Sequence, residues 1–238
     1  MTAKPVVLIT GASRGIGRAI SIKFAEENYQ TVLTARNTAH LRETAEIIRE
    51  NGEADPLVIP ANLRDSHQIG RLVGSAIQRF GKIDILVNNA GILHLKPFLE
   101  ITSEEYDEMF DVNMKAAFQL TQQVAPGMIQ RKAGTIINIA SLAGKNGFKT
   151  GAGYAATKFA LRGFAASLML ELREHDVRVI TVFPGSVDTR AIVKHANAPR
   201  PESMLKAEDV AHVVFAAATT PARATVSEID IRPSNPQK

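Results

Sequence analysis

Tyr154 and Lys158 stand four residues apart in the stretch "GAGYAATKFA" (151–160). On a helix that spacing puts both side chains on one face, a turn apart. A free phenol titrates at about 10, which makes it a poor base at neutral pH. A nearby ammonium favours the phenolate and brings the group closer to the operating pH, where general acid–base work is most effective. The small residues Ala155, Ala156 and Thr157 leave room beside the pair. Taken alone, the spacing is better explained by a packed tyrosine and a solvated lysine. Ser141 shifts the balance: it lies upstream, just after the strand-like run "TIINIA" (135–140). A hydroxyl at a strand end, beside a Tyr/Lys helix face, is placed to hydrogen-bond a carbonyl oxygen.

A second constellation is "TGASRGIG" (10–17), between a strand-like run and a helical one. Its glycines, Gly11, Gly15 and Gly17, follow the spacing G-x-x-x-G-x-G. Glycine lets the backbone approach a pyrophosphate, and the free N–H groups and dipole of the following helix attract it. Ser13, Arg14 and Ile16 complete the turn.

These residues need a frame. Strand-like runs are read at 6–10, 31–35, 57–59, 83–88, 135–140, 177–183 and 226–233, several of them apolar on both faces, as in a parallel sheet covered on both sides. Helical patterns are read at about 15–28, 39–51, 66–80, 104–131, 153–175 and 207–219. "TSEEY" (102–106) carries a capping box, with Thr102 as N-cap and Glu105 at N3. The alternation predicts one α/β domain over 1–238: a doubly wound Rossmann fold with a parallel sheet of about seven strands. The stretch 188–206 fits no period and is expected to cover the carboxyl ends of the strands, where ligands bind.

Composition closes off other classes. Cysteine is absent, which excludes disulfides and thiolate chemistry. The net charge is +4, but the basic residues are scattered, aromatics make up 5% and there is no Trp, so no nucleic-acid surface is expected. The six histidines show no metal-ligand spacing and no G-x-S-x-G elbow is present, which argues against a hydrolase and against a metal site. No run is apolar enough to span a membrane and no leader pattern is seen, so a cytoplasmic place of action is expected.

In combination and order, "TGASRGIG", "NNAG" (88–91), Asn113, Ser141, Tyr154, Lys158 and "PGSVDT" (184–189) resemble the short-chain dehydrogenase/reductases over nearly the whole chain. The resemblance implies an oxidoreductase acting on a carbonyl or secondary alcohol, with Asn113, Ser141, Tyr154 and Lys158 as the catalytic four. Tyr154 would be the general acid/base and Ser141 would polarise the substrate oxygen. Lys158 would lower the Tyr154 pKa and hold the ribose, and Asn113 would help hold a water reaching Lys158. It further implies cofactor contacts from Asn62, Leu63, Asn89, Ala90 and Gly91, and from Pro184, Gly185, Val187 and Thr189, and assembly into homodimers or homotetramers. Asn62 departs from the Asp common at that position, and its amide oxygen is expected to serve instead.

An NAD site usually offers an acid at the end of the second strand. Here that strand ends in Ala35 and Arg36. A carboxylate would repel a 2′-phosphate, whereas the planar forks of Arg36 and Arg14 would hold it, so NADP(H) is the expected cofactor. The substrate wall is read as Leu93, His94, Ala143, Phe148 and the 188–206 stretch. The ending "EIDIRP" is similar to hydroxy-acid dehydrogenases and sepiapterin reductases; 3-oxoacyl-acyl-carrier-protein reductase is the alternative, and a catalytically silent NADP(H) sensor a second.

Overall fold

The computed structural model describes residues 4–51, 55–189 and 200–235. Seven strands form one parallel sheet: β1 (Val6–Thr10), β2 (Gln30–Thr34), β3 (Leu57–Val58), β4 (Ile85–Asn88), β5 (Gly134–Ile139), β6 (Val177–Pro184) and β7 (Glu228–Ile231). Their order is β3-β2-β1-β4-β5-β6-β7. The helices are α1 (Gly15–Glu26), α2 (Thr38–Glu50), α3 (Ser66–Phe80), α4 (Ser103–Phe110), α5 (Ala116–Arg131), α6 (Ala152–Leu172) and α7 (Ala207–Ala218).

The sheet is buried on both sides because its strands are apolar on both faces. In β1, Val7 and Ile9 join the core that includes α1, α2 and α7, while Val6 and Leu8 join the core that includes α3 and α5. The Thr102–Glu105 capping box is present at the start of α4.

The strand order reverses between β1 and β4, and a crevice opens outside the carboxyl ends there. Every motif of interest falls at those ends. β1 runs into the glycine turn, β4 into Asn89, β5 into Ser141 and β6 into the 184–189 loop.

The expected continuous helix over 104–131 is instead three pieces. α4 and α5 are separated by one wide π-turn at Asp111–Lys115, with Asn113 at its centre. Such turns carry an extra residue and concentrate at functional sites. β7 is shorter than the expected 226–233, and within it Glu228 and Asp230 pair with Lys145 at 2.8 and 2.7 Å. Of the stretch 188–206, residues 190–199 lie outside the described residues. Of the rest, Val187 and Leu205 form a β-bridge and Pro201–Ser203 is a 3₁₀ turn.

Candidate active site

The glycine turn is built by exclusion. Gly11 and Gly15 have φ of 67° and 53°, the left-handed region that favours glycine. A Cβ on Gly17 would lie 2.2 Å from the Gly11 carbonyl oxygen and 2.5 Å from Asn89 Nδ2. Gly17→Ala is therefore expected to cost about 3 kcal/mol, read as a fall of roughly 6–12 °C in thermal midpoint. An unchanged midpoint would show that the turn yields.

Asn89 holds the turn from beneath, donating from Nδ2 to the carbonyls of Thr10 (2.8 Å) and Gly11 (3.4 Å). The Thr10 hydroxyl accepts from the Asn89 and Ala90 N–H groups, both at 2.9 Å. Thr10 thus locks β1 to the β4 turn, a role with no signal in the sequence beyond its place before Gly11.

The two arginines of this region differ. Arg18 is tied down, donating to Thr44 (3.0 Å), the Ser13 carbonyl (2.7 Å) and Glu43 (3.0 Å). Arg14 is exposed at the N-cap of α1, which has no side-chain cap. The first N–H groups of α1 and the Arg14 guanidinium are therefore open to an anion.

The 184–189 loop closes over the same place. Thr189 Cγ2 lies 3.1 Å from where a Gly15 Cβ would be. Gly185 donates its N–H to the Ile231 carbonyl at 2.8 Å, and Val187 is buried beside Leu205. Asn62 lines the cleft with Leu63, but its Oδ1 also accepts from the Arg64 N–H at 3.2 Å, so it is partly engaged.

The glycine turn, Arg36, Asn62, Leu63, Ala90, Gly91, Ser141, Tyr154, Lys158 and the 184–189 loop all line one cleft of about 1390 Å³. Asn113 does not; it lies behind the cleft, 2% exposed. Its Oδ1 accepts from the Ile92 N–H (2.8 Å), and its Nδ2 donates to the Ile92 carbonyl (2.9 Å) and to Thr157 Oγ1 (3.0 Å). Thr157 in turn donates to the Tyr154 carbonyl at 2.8 Å. Asn113 thus couples the loop after β4 to the first turns of α6. Both of its amide protons are spent on this, so its side chain has no donor left for a water.

Tyr154 and Lys158 share one face of α6 as the spacing predicts, with Lys158 Nζ 5.8 Å from the phenol ring centroid. Lys158 is 4% exposed and donates to the Ile139 carbonyl at 2.9 Å. Burial pushes it down to about 8. Burial pushes the partly covered Tyr154 phenol up to about 12, with the Ser141 hydroxyl pulling the other way. The expected lowering of the phenol by Lys158 is not what this structure holds. The ammonium turns to the Ile139 carbonyl and is itself driven toward neutrality, so desolvation dominates both groups. Ser141 Oγ accepts from the Ala143 N–H at 3.1 Å, which leaves its own proton to donate elsewhere.

Of the expected substrate wall, Leu93, Ala143 and Phe148 line the cleft. His94 does not: it turns away to Glu108 (3.3 Å) and Glu105 (3.7 Å). Lys149 and Thr150 line the cleft instead. Thr150 has φ of 68°, unusual for a β-branched residue, and its carbonyl accepts from the Lys96 N–H at 3.1 Å.

A doubly wound sheet with a glycine turn at its switch point defines the dinucleotide-binding class of α/β proteins. The family described as short chain dehydrogenase matches residues 5–199. An uncharacterized oxidoreductase of Staphylococcus aureus (strain USA300) is 34% identical over 228 residues, 96% of each chain. Among solved structures, a metagenomic short-chain oxidoreductase in complex with NADP is 36% identical with TM-score 0.87, covering 99% of this chain and 100% of that one. The serine dehydrogenase of Escherichia coli is 30% identical with TM-score 0.84, covering 96% and 97%. The chain belongs to the short-chain dehydrogenase family and is an oxidoreductase of that family.

Proposed function

We propose that this oxidoreductase uses NADP(H) to interconvert a carbonyl and a secondary alcohol on a small substrate of 3-hydroxy-acid type. The observation that carries this is the convergence of Ser141, Tyr154 and Lys158 on the same cleft that the glycine turn lines. The cradle fits a dinucleotide: glycines where a Cβ would clash, an uncapped helix N-terminus and an unengaged Arg14. Ala35 puts no carboxylate where a 2′-phosphate would sit, and Arg36 lines the cleft there. Relatives solved with NADP or NADPH support the same choice.

When bound, the nicotinamide supplies or accepts the hydride. The protein's part is positioning and proton transfer. In reduction Tyr154 gives its phenolic proton to the substrate oxygen, and in oxidation it takes that proton back. Ser141 donates a hydrogen bond to the same oxygen, its lone pair already fixed by Ala143. Lys158, on the same face of α6, would hold the ribose hydroxyls. Asn113 is a positioning residue that sets α6 against the loop after β4.

Lys149 supports the acid substrate. It lines the cleft and its side chain has no partner among the described residues, unlike Asp188, which pairs with Lys206 at 3.0 Å. Lys149→Gln is expected to raise KM for 3-hydroxy or 3-oxo acids by about tenfold and to leave KM for the matching esters unchanged. Equal KM changes for acid and ester would remove Lys149 from the substrate. The proposal includes a homodimer or homotetramer, since Phe118, Phe159 and Leu170 are left exposed on α5 and α6. It also includes a cytoplasmic place of action; no helix among the described residues is long and apolar enough to cross a membrane.

The direct test is steady-state turnover of a carbonyl panel (3-oxo acids, their esters, aromatic aldehydes, sepiapterin) with NADPH and with NADH. NADPH-preferring turnover of the acids is expected. Turnover of acyl-carrier-bound substrates alone would favour the acyl-carrier reductase instead.

A further inference from the structure

The acids of α4 and the turn after it form a ladder on one face. Glu105, Glu108 and Asp111 follow one another at three-residue spacing. They are met by basic side chains from three βα turns. Glu105 meets Lys96 and His94 from the turn after β4. Asp111 meets Arg64 from the turn after β3, at 3.4 Å, and Lys115 at 3.3 Å. Glu108 stands between these and takes Arg36 on Oε1 at 3.8 Å, Arg64 on Oε1 at 4.0 Å and His94 on Oε2 at 3.3 Å.

The two ends of the Arg36–Glu108 pair are not equally fixed. Glu108 is 28% exposed and braced from behind by His94, while the Arg36 side chain is 64% exposed. The separation of 3.8 Å is that of an ion pair and longer than a formed hydrogen bond. Arg36 is thus attracted to a carboxylate that holds its place, yet is free to leave it. Arg14, which lines the same cleft, has no acidic partner among the described residues.

We propose that Glu108 is an internal anion that competes with the 2′-phosphate of the cofactor for Arg36, and so sets how strongly NADPH is preferred over NADH. This rests on the NADP(H) reading of Arg36. A dianionic phosphate drawing Arg36 away must break its pairing with Glu108 and then sit in the field of that carboxylate. A cofactor with a plain 2′-hydroxyl meets neither cost. The pair is exposed, so the effect is modest and sensitive to salt. Its consequence is a cofactor held through the phosphate but readily released.

The test is fluorescence titration of NADPH and NADH, at low and high salt, on the wild-type protein, Glu108→Gln, Arg36→Ala and the double variant. Glu108→Gln is expected to tighten NADPH about fivefold at low salt, less at high salt, and to leave NADH within twofold. In the Arg36→Ala background the gain from Glu108→Gln should shrink. If Arg36→Ala lowers NADPH affinity but Glu108→Gln leaves it unchanged or weakens it, the competitor role is overturned and the NADP(H) reading stands. If Arg36→Ala leaves the NADPH to NADH ratio unchanged, the reading of Arg36 fails and the competitor role fails with it.

Discussion

Tyr154→Phe is expected to lower kcat by about 10³-fold, within the range general acid–base catalysis contributes, and to leave the dissociation constant of NADPH within twofold. The substitution removes one oxygen from a ring that otherwise keeps its place. Thr157 still bonds the residue-154 carbonyl, and Asn113 still bonds Thr157. The frame therefore survives and only the proton is lost. A loss of cofactor binding equal to the loss of turnover would place the phenol in binding, and full activity would give the general acid role to another group. Stopped-flow reduction alongside titration separates these.

The second large effect concerns Lys158. It is buried in a setting that pushes it from 10.5 to about 8. Below about 8 the folded protein must keep a buried ammonium, and a shift of this size corresponds to roughly 3 kcal/mol against folding. Its hydrogen bond to Ile139 offsets part of that. Lys158→Met removes the charge at similar length, so it is expected to stabilise the cofactor-free protein by roughly 2 kcal/mol at pH 7. That is about 5 °C in thermal midpoint, while turnover falls by at least about 10²-fold.

The sign of the pH dependence follows from the same group. The folded pKa is depressed, so between about 8 and 10.5 the unfolded chain holds a proton that the folded protein has released. The Lys158 contribution to stability therefore rises with pH across that window in the wild type, and this rise is absent in Lys158→Met. Thermal midpoints of both proteins at several pH values check it. A lower midpoint for the variant at pH 7 would show that the ammonium is better paired than Ile139 alone allows. A higher midpoint for the variant, with turnover lost, would be a stability–function trade-off at one position.

Much of the frame is legible in the sequence because it depends on local pattern. Runs such as Val6–Thr10 are mostly apolar on both faces, and their alternation with helical patterns places them in a covered parallel sheet. The glycine turn is legible because its geometry excludes any side chain, most severely at Gly17, where even a methyl meets the Gly11 carbonyl. That Tyr154 and Lys158 share one helix face follows from their spacing; that they form a site needs Ser141 beside them.

What escapes the sequence is decided by contacts far along the chain. The π-turn around Asn113 leaves the apolar pattern of α4 and α5 nearly intact, so periodicity cannot detect it. Its partners are Ile92 and Thr157, on a different loop and a different helix. Arg14 and Arg18 look alike in "SRGIGR"; only Thr44 and Glu43 in α2 show that Arg18 is committed to structure and Arg14 is not. His94 sits one residue from a cleft-lining leucine, yet the acids of α4 pull it away. The direction of the Tyr154 and Lys158 shifts also depends on burial, which spacing does not reveal.

The proposed reaction is hydride transfer to a carbonyl with Tyr154 supplying the proton. It is tested most directly by giving the protein NADPH deuterated at the transferring position with a 3-oxo acid, and weighing the product. One deuterium is expected on the carbinol carbon of the alcohol in the wild-type reaction, and almost no labelled product with Tyr154→Phe in the same time. Tight NADPH binding without any label in product, across the carbonyl panel, would contradict it and point to a protein that senses the cofactor without using it.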